Sequence, residues 1–425
     1  MQRKKRLQLW LLLSLFGAGI TGLYWHRVLG PWEHYIDVET GRSKASMGDL
    51  YPRWVGTRAL LLEGKNPYGP EVSHEIQMAF YGHEIHQTYD QPEKDRIDEQ
   101  RFAYPVYVVF LLAPTVHIDF AVLQSWTPVV LAMLTAASML LWLEVLHWRP
   151  PWPIVCAMIL FMISSPQIAQ GLRLRQFGLL VAFLIALSAW CVMRNHLATA
   201  GLLLALATIK PQMVALPLAC FLTWSVGDVK KRWRLAAGFA GALALLAGAG
   251  ELLLPRWPRY FLEGIVAYRK YFPTTSPLRL ALGNGIGEAV GGVIIIGLLI
   301  FAWRNRAQPG DSPQFASTLA ASFIAATLAL PILTPFNQAM LILPVLMVLG
   351  GWASLPKFSR VTFILITSWP WIVELVLLLF PPRLNSLGRF PLLPSLLVLS
   401  VPFLVPLWLV TRKANVQAGQ SLIPQ

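Results

Sequence analysis

The sequence predicts an all-α polytopic membrane protein with about 12 transmembrane helices and a large first extracytoplasmic loop. Of the 425 residues, 56% are hydrophobic and only 13% are charged. The mean hydropathy of +0.55 is too high for a soluble domain. Apolar runs long enough to cross a bilayer recur along the chain, and lysines and arginines flank them, as the positive-inside rule requires of cytoplasmic loops.

The composition also limits the classes of function. The net charge of +14 is spread over the ends of apolar runs and forms no basic stripe interleaved with aromatic residues, so we expect no nucleic-acid partner. The three cysteines lie far apart within apolar runs, which argues against a disulfide framework or a zinc cluster. His74, His83 and His86 suggest a metal site, but in so polar a loop we expect no metal, and no cofactor.

The first element is expected to be a signal-anchor helix over residues 1–25. A basic hexapeptide precedes its apolar run, and no small-residue cleavage site follows. This places the N-terminus in the cytoplasm and makes residues 26–122 the first extracytoplasmic loop, with interfacial helices. Within that loop, Ala103–Phe120 is apolar but short and interrupted by two prolines. It therefore either lies at the outer surface or spans the membrane.

Residues 123–411 are expected to form the transmembrane bundle, and residues 412–425 a cytoplasmic tail. Leu197–Trp224 is too long for one ordinary helix and is interrupted at Ile209–Gln212, which predicts two short helices that meet at an outward kink. The other spans of the bundle are predicted near 123–147, 152–168, 176–194, 235–254, 288–303, 315–333, 338–352, 361–380 and 391–411.

A polar, charged segment follows the first apolar run. Asp49 opens a helical pattern that contains Arg58 and ends at Gly64, and Asn66-Pro67-Tyr68 then forms a rigid turn. A carboxylate at the head of such an element either caps the helix or accepts a proton from a hydroxyl. Asp37 is the rival carboxylate for the second role.

Several motifs occur in the same order and spacing as in glycosyltransferase family 87, which this sequence therefore resembles. The first motif is the acid, helix and Gly-x-Asn-Pro-Tyr turn of the first outer loop. The others are a Tyr104-Pro105 pair leading into a segment that ends with Pro114, and a small-residue helix that ends with Lys210-Pro211. The resemblance covers about residues 45–225. A Gly-Gln-x-Asn-like entry to a span also belongs to the pattern.

Two positions depart from that family pattern. The entry to the span reads Arg175-Gln176-Phe177-Gly178 and lacks the Asn, and the usual second Pro after Tyr-Pro is Val106. These differences bear on the sugar and the acceptor more than on the fold.

The resemblance implies a GT-C-class enzyme of the plasma (inner) membrane, with both termini cytoplasmic and the active site outside. Such an enzyme transfers a sugar, mannose by resemblance, from a polyprenyl-phosphate donor to a lipid-linked or glycan hydroxyl. The anomeric carbon is inverted, and Asp49 is the implied general base. Membrane lipids are the remaining expected partners.

Binding of the donor phosphate requires cations at the outer ends of helices. Lys210 is the strongest candidate, because a lysine between two apolar half-helices is costly unless it has a function. Arg173 and Arg175 could instead snorkel to the interface. The expected substrate-binding residues are Arg58, Tyr68, Tyr104, Arg173, Arg175, Gln176, Lys210, Gln212, Arg269, Lys270, Asn284 and Asn337. Glu374, inside a span, either supports one of these cations or joins packed helices.

The competing class is a transporter or lipid flippase. A transporter should have two matched halves with discontinuous helices at corresponding places. Only Leu197–Trp224 has a discontinuous pattern, and the acidic first loop has no counterpart in the second half. The sequence therefore favours the enzyme.

Overall fold

The structure, a computed structural model, describes residues 2–31, 47–82, 100–271, 276–331 and 334–380. Every regular element in these ranges is helical, as predicted. The helices are α1 (Gln2–Tyr24), α2 (Leu50–Glu63), α3 (Pro70–Tyr81), α4 (Val108–Leu112), α5 (Phe120–Val145), α6 (Trp152–Ile163), α7 (Pro166–Arg173), α8 (Phe177–Met193), α9 (Leu197–Ala207), α10 (Pro211–Val226), α11 (Val229–Leu253), α12 (Trp257–Tyr271), α13 (Pro277–Leu282), α14 (Ile286–Asn305), α15 (Pro313–Ala329), α16 (Ile342–Gly350) and α17 (Lys357–Leu379). A π-helical turn, Trp25–Leu29, continues α1, and 3₁₀ turns cover Ala113–Thr115, Pro335–Leu341 and Trp352–Ser354.

Four of the described helices are long and apolar enough to cross a bilayer: α5, α11, α14 and α17. A fifth span results if α6 and α7, bent by 65° at their junction, are counted together. Several other predicted spans form shorter apolar helices, among them α8, α9, α10 and α15. The chain is therefore a membrane protein, and the count of twelve spans stays a prediction. The last predicted span, 391–411, lies outside the described residues.

One predicted break and one predicted span can be compared with the structure. The Leu197–Trp224 run does form two short helices, α9 and α10, and Pro211 begins the second one, where its missing N–H costs no helical hydrogen bond. The predicted span 152–168 is instead a bent pair that continues to Arg173. The reason is local, because Ser165 caps a new helix whose first residue is Pro166.

The Ala103–Phe120 segment does not form a spanning helix. Only five of its residues, Val108–Leu112, are α-helical, and the 3₁₀ turn at Pro114 follows directly. Val106, Val108 and Val109 are completely buried. This segment is therefore a buried support on which α2 rests.

Helices α9 and α11 approach each other closely through glycines. A Cβ atom added to Gly201 would lie 2.2 Å from the Leu235 carbonyl oxygen, and one added to Gly238 would lie 2.4 Å from the Ala198 carbonyl oxygen. Small residues at helix contacts are typical of membrane proteins, in which backbone proximity replaces hydrophobic collapse. Much of the rest of α11 is exposed, with Leu252 89% exposed, as expected for a helix that contacts lipid.

The first helix is joined to the bundle by buried hydrogen bonds. The Ser14 hydroxyl donates to the Ala157 carbonyl at 2.7 Å, and the Thr21 hydroxyl donates to a Glu374 carboxyl oxygen at 2.8 Å. Glu374 is 2% exposed. Its hydrogen bond to Thr21 joins α1 to α17, so the structure favours the helix-packing role for this residue.

A cysteine scan tests on which side of the membrane the two ends of the bundle lie. Helix α10 has 16 residues, about 24 Å at 1.5 Å per residue, which separates Lys210 from the loop before α11. We expect Glu63→Cys to react with an impermeant thiol reagent in intact cells and Lys230→Cys to react only after permeabilisation. Both variants carry Cys156→Ser, because this cysteine is exposed. Labelling in the reverse order would contradict the predicted orientation.

Candidate functional site

Four separate segments meet around the side chain of Lys210. They are the start of α2, the chain that precedes α4, the turn between α7 and α8, and the 3₁₀ turn Pro335–Leu341. Hydrogen bonds, ring contacts and electrostatic interactions connect six side chains from these segments and from the α9–α10 junction. The six residues, here named the Lys210 cluster, are Asp49, Arg53, Tyr104, Gln176, Lys210 and Asn337.

The Lys210 ammonium is held inside the bundle by neutral acceptors. The residue is 6% exposed and stands at the N-cap of α10. Its Nζ donates to Gln176 Oε1 at 3.1 Å and to Asn337 Oδ1 at 3.0 Å, and it lies 4.7 Å from the centre of the Phe336 ring. A buried charge requires such partners. The amides hold it in place but do not neutralise it.

Gly178 leaves the space that this arrangement needs. A Cβ atom at this position would lie 3.1 Å from Asn337 Oδ1 and 3.3 Å from Lys210 Nζ. Gly178 is the residue that stands where the resemblance leads one to expect Asn. The amide beside Lys210 is instead supplied by Asn337, from a distant part of the chain.

Asp49 is positioned by its backbone. Its N–H donates to the Leu174 carbonyl at 2.9 Å. Gly48, with φ of +62°, lies so close to Leu174 that a Cβ atom would be 2.9 Å from the same oxygen, a conformation and contact that suit glycine. Asp49 takes the N-cap position of α2, yet its side chain makes no capping hydrogen bond. The capping alternative is therefore not what the carboxylate does here.

The partly exposed carboxylate of Asp49 interacts electrostatically with two members of the Lys210 cluster, the Lys210 ammonium and the Tyr104 phenol. Arg53 acts on Lys210 with the opposite sign. The site thus contains a carboxylate and two cations whose charges interact.

Arg53 is the member of the Lys210 cluster that sequence reasoning missed. Its Nη1 donates to the Asp49 carbonyl at 2.6 Å, and its guanidinium carbon lies 4.7 Å from the centre of the Tyr104 ring. Burial raises the pKa of the Tyr104 phenol, while the charge and hydrogen bond of Arg53 oppose that rise. The available signal was the i, i+4 spacing from Asp49, which places both residues on one helix face.

Among the predicted site residues, five belong to the Lys210 cluster: Asp49, Tyr104, Gln176, Lys210 and Asn337. Gln212 lies in the first turn of α10, two residues from Lys210, and its side chain is exposed.

Other predicted residues have structural contacts outside the cluster. Arg58 Nη1 donates to the Val116 carbonyl at 2.6 Å, and its guanidinium lies 4.8 Å from the centre of the Trp54 ring. The Tyr68 hydroxyl donates to the Tyr104 carbonyl at 2.6 Å. Both side chains fasten the first loop to the buried segment that follows it.

The remaining predicted cations and amides either lie outside the Lys210 cluster or have side chains that the structure does not describe. Arg175 Nε donates to the Gln124 carbonyl at 2.9 Å, and Arg173 lies over the Trp25 ring. Asn284 Oδ1 accepts from Arg279 Nε at 2.6 Å. The structure does not describe the side chains of Arg269 and Lys270, nor residues Asp37, His83 and His86. No group of three His, Cys, Asp or Glu side chains suited to a metal ion occurs in the described ranges.

Removal of the Asn337 amide tests whether the buried ammonium depends on it. We expect Asn337→Leu to lower the free energy of unfolding by about 1.5–3 kcal/mol, the cost of losing a hydrogen bond to a charged group. Thermal unfolding in detergent would record the change. If the lost contact with Lys210 is the cause, the double variant Lys210→Met/Asn337→Leu should lose less stability than the two single variants together. Strict additivity would contradict the pairing.

A family model described as glycosyltransferase family 87 matches residues 102–331, which is more than half of the 425-residue chain. No curated protein and no solved structure matches the chain. The matched range contains Tyr104, Gln176 and Lys210, whereas Asp49 and Asn337 lie outside it. This match and the apolar helices identify the chain as a membrane glycosyltransferase that belongs to glycosyltransferase family 87.

Proposed function

We propose that this enzyme transfers a sugar from a polyprenyl-phosphate donor to a hydroxyl group of a lipid-linked or glycan acceptor, with inversion at the anomeric carbon. Mannose is the sugar that the family resemblance suggests. The observation that carries the proposal is that Asp49, a partly exposed carboxylate with no capping hydrogen bond, interacts electrostatically with the buried ammonium of Lys210. Proton acceptor and phosphate-binding cation are the two groups that this transfer requires.

In the proposed reaction, the acceptor oxygen attacks the anomeric carbon from the side opposite the phosphate. A bond forms between that oxygen and the carbon, the bond from the carbon to the phosphate oxygen breaks, and polyprenyl monophosphate leaves. The proton of the acceptor hydroxyl passes to the Asp49 carboxylate. Asp49 suits this role because its backbone is fixed by the Leu174 carbonyl while its side-chain oxygens are not used as a helix cap.

Lys210 would stabilise the departing phosphate. Two of its three N–H groups donate to Gln176 and Asn337, and the third can donate to a phosphate oxygen. Because both protein acceptors are neutral amides, neither compensates the charge of the ammonium, and an anionic ligand can do so. An anion in this place would gain a charge-assisted hydrogen bond in a poorly solvated site, where such bonds are strong.

We place the reaction on the extracytoplasmic face of the plasma membrane, where the donor headgroup would meet the outer end of the bundle. The positive-inside rule supports this orientation, because the basic residues at the start of α11 lie at the other end of α10 from Lys210. The competing class, a transporter or flippase, gains no support from the family match. The acceptor would approach from the first loop, since α2 carries Asp49 at its head.

The variant Asp49→Asn tests whether Asp49 acts as the proton acceptor or has only a structural role. Asn has the same size but cannot accept the proton, so we expect transfer from a polyprenyl-phosphate sugar in isolated membranes to fall about 10²-fold or more. Asp119→Asn is the matched control, because the Asp119 side chain does cap its helix, accepting from the Ala121 N–H at 2.6 Å. That variant should keep its activity. Near-normal transfer by Asp49→Asn at an unchanged protein level would exclude Asp49 as the base.

Lys210→Met tests the phosphate contact. The variant keeps the length of the side chain and removes the charge, and a charge-assisted contact contributes about 1.5–3 kcal/mol, so we expect an approximately 10- to 100-fold loss of kcat/KM for the donor. A contact made equally with donor and transition state appears in KM, and one made with the developing charge appears in kcat. Unchanged values of both constants would leave Lys210 with a structural role.

A further inference from the structure

We propose that Arg53 is the second phosphate-binding cation of this site and acts beside Lys210. This assignment rests on the proposed function, which supplies the phosphate, but its evidence is separate. It comes from the charge and the contacts of a residue for which neither the sequence motifs nor the family match gives a role.

The first argument is charge balance. Among the described residues, the charged groups that act on Lys210 are Asp49 and Arg53. With Lys210 protonated, one carboxylate and two cations leave the site with one positive charge. A polyprenyl-phosphate sugar is a phosphodiester with one negative charge, which makes the loaded site neutral. During transfer Asp49 gains a proton and the phosphate becomes a monoester with nearly two negative charges. The site then stays close to neutral from substrate to product.

Without Arg53 the same site would have one uncompensated negative charge from donor binding to product. Such a charge is expensive where Lys210 is 6% exposed and Tyr104 is also 6% exposed, because a poorly solvated site stabilises an unpaired ion weakly. Electroneutrality therefore requires a second cation within reach of the phosphate. Arg53 is the one whose charge the structure connects to Lys210.

The second argument is the way the Arg53 side chain is fixed. Nη1 is held by the Asp49 carbonyl, and the plane of the guanidinium is supported by Tyr104. Its Nε is buried and has no hydrogen-bond partner among the described residues. An N–H group in that state costs free energy unless a ligand accepts its hydrogen bond. A phosphate oxygen is the acceptor that would satisfy both this donor and the charge.

Arg232, in the first turn of α11, shows what a structural arginine is in this chain. It donates to the Trp224 carbonyl at 2.9 Å, and its guanidinium lies 4.0 Å from the centre of the Trp224 ring. These contacts are at the other end of α10 from Lys210. Each arginine loses a carbonyl contact and a ring contact on substitution, and only Arg53 should also lose a contact with phosphate.

The experiment measures the binding of a short-chain polyprenyl monophosphate to the purified full-length protein in detergent, with the matching polyprenol as the ligand without phosphate. We expect Arg53→Gln to raise the Kd for the monophosphate about tenfold or more and to leave the Kd for polyprenol unchanged. Arg53→Lys, which keeps the charge, should recover part of the affinity. Arg232→Gln should bind the monophosphate as the normal protein does.

Thermal unfolding of each variant identifies loss of fold, and Arg53→Lys supplies the test if Arg53→Gln does not fold. Equal monophosphate affinities for the normal protein, Arg53→Gln and Arg232→Gln would overturn the assignment, as would a parallel loss of affinity for polyprenol. If the normal protein transfers no sugar but its binding of the monophosphate depends on Arg53, the proposed function fails and the phosphate site stands. If transfer occurs and binding ignores Arg53, this inference alone fails.

Discussion

The burial of one ammonium group, that of Lys210, is the constraint on which the site depends. A buried charge destabilises the fold unless its hydrogen bonds are satisfied. Two amide oxygens from distant segments accept from two of its three N–H groups, Gln176 before α8 and Asn337 from the 3₁₀ turn. Gly178 keeps the space open. The break between α9 and α10 also lies at Lys210, since Pro211 begins a new helix and leaves Lys210 at its N-cap. The same residue therefore marks the break between the helices and carries the buried charge.

Asp49, the carboxylate of the site, is held in place through its backbone and not through its side chain. Asp49 is held by its backbone, through the Leu174 carbonyl and the left-handed Gly48, and this leaves its side-chain oxygens available. Leu174 is also only two residues before Gln176, which binds Lys210. The turn between α7 and α8 thus fixes the distance between the acid and the cation from both sides. A base and a phosphate-binding cation need such fixed separation, because small displacements cost large factors in rate.

The sequence predicted the features that depend on local patterns. Apolar length gave the helices, proline gave the break at Lys210, and the cost of a lysine between two half-helices pointed to its function. The number of spans was harder to predict, because short buried helices and membrane spans have the same apolar composition. Helix α8, for example, has 17 apolar-rich residues, and most of them are buried inside the bundle. Arg53 and the pairing of Lys210 with Asn337 could not be predicted, since 127 residues separate that pair and only the tertiary fold brings them together.

The family model matches only part of the site. Residues 102–331 match the family, while α2 precedes that range. What holds α2 in place is a set of side chains that bond to main-chain oxygens of the buried segment, such as Trp54 Nε1 to the Thr115 carbonyl at 3.1 Å and Arg58 to the Val116 carbonyl at 2.6 Å. Gly56 brings α2 against the Phe102 ring, so closely that a Cβ atom would lie 2.3 Å from it. Because these contacts use backbone acceptors and the absence of a side chain, they fix the position of α2, and with it Asp49 and Arg53, without a further carboxylate that would change the charge of the site.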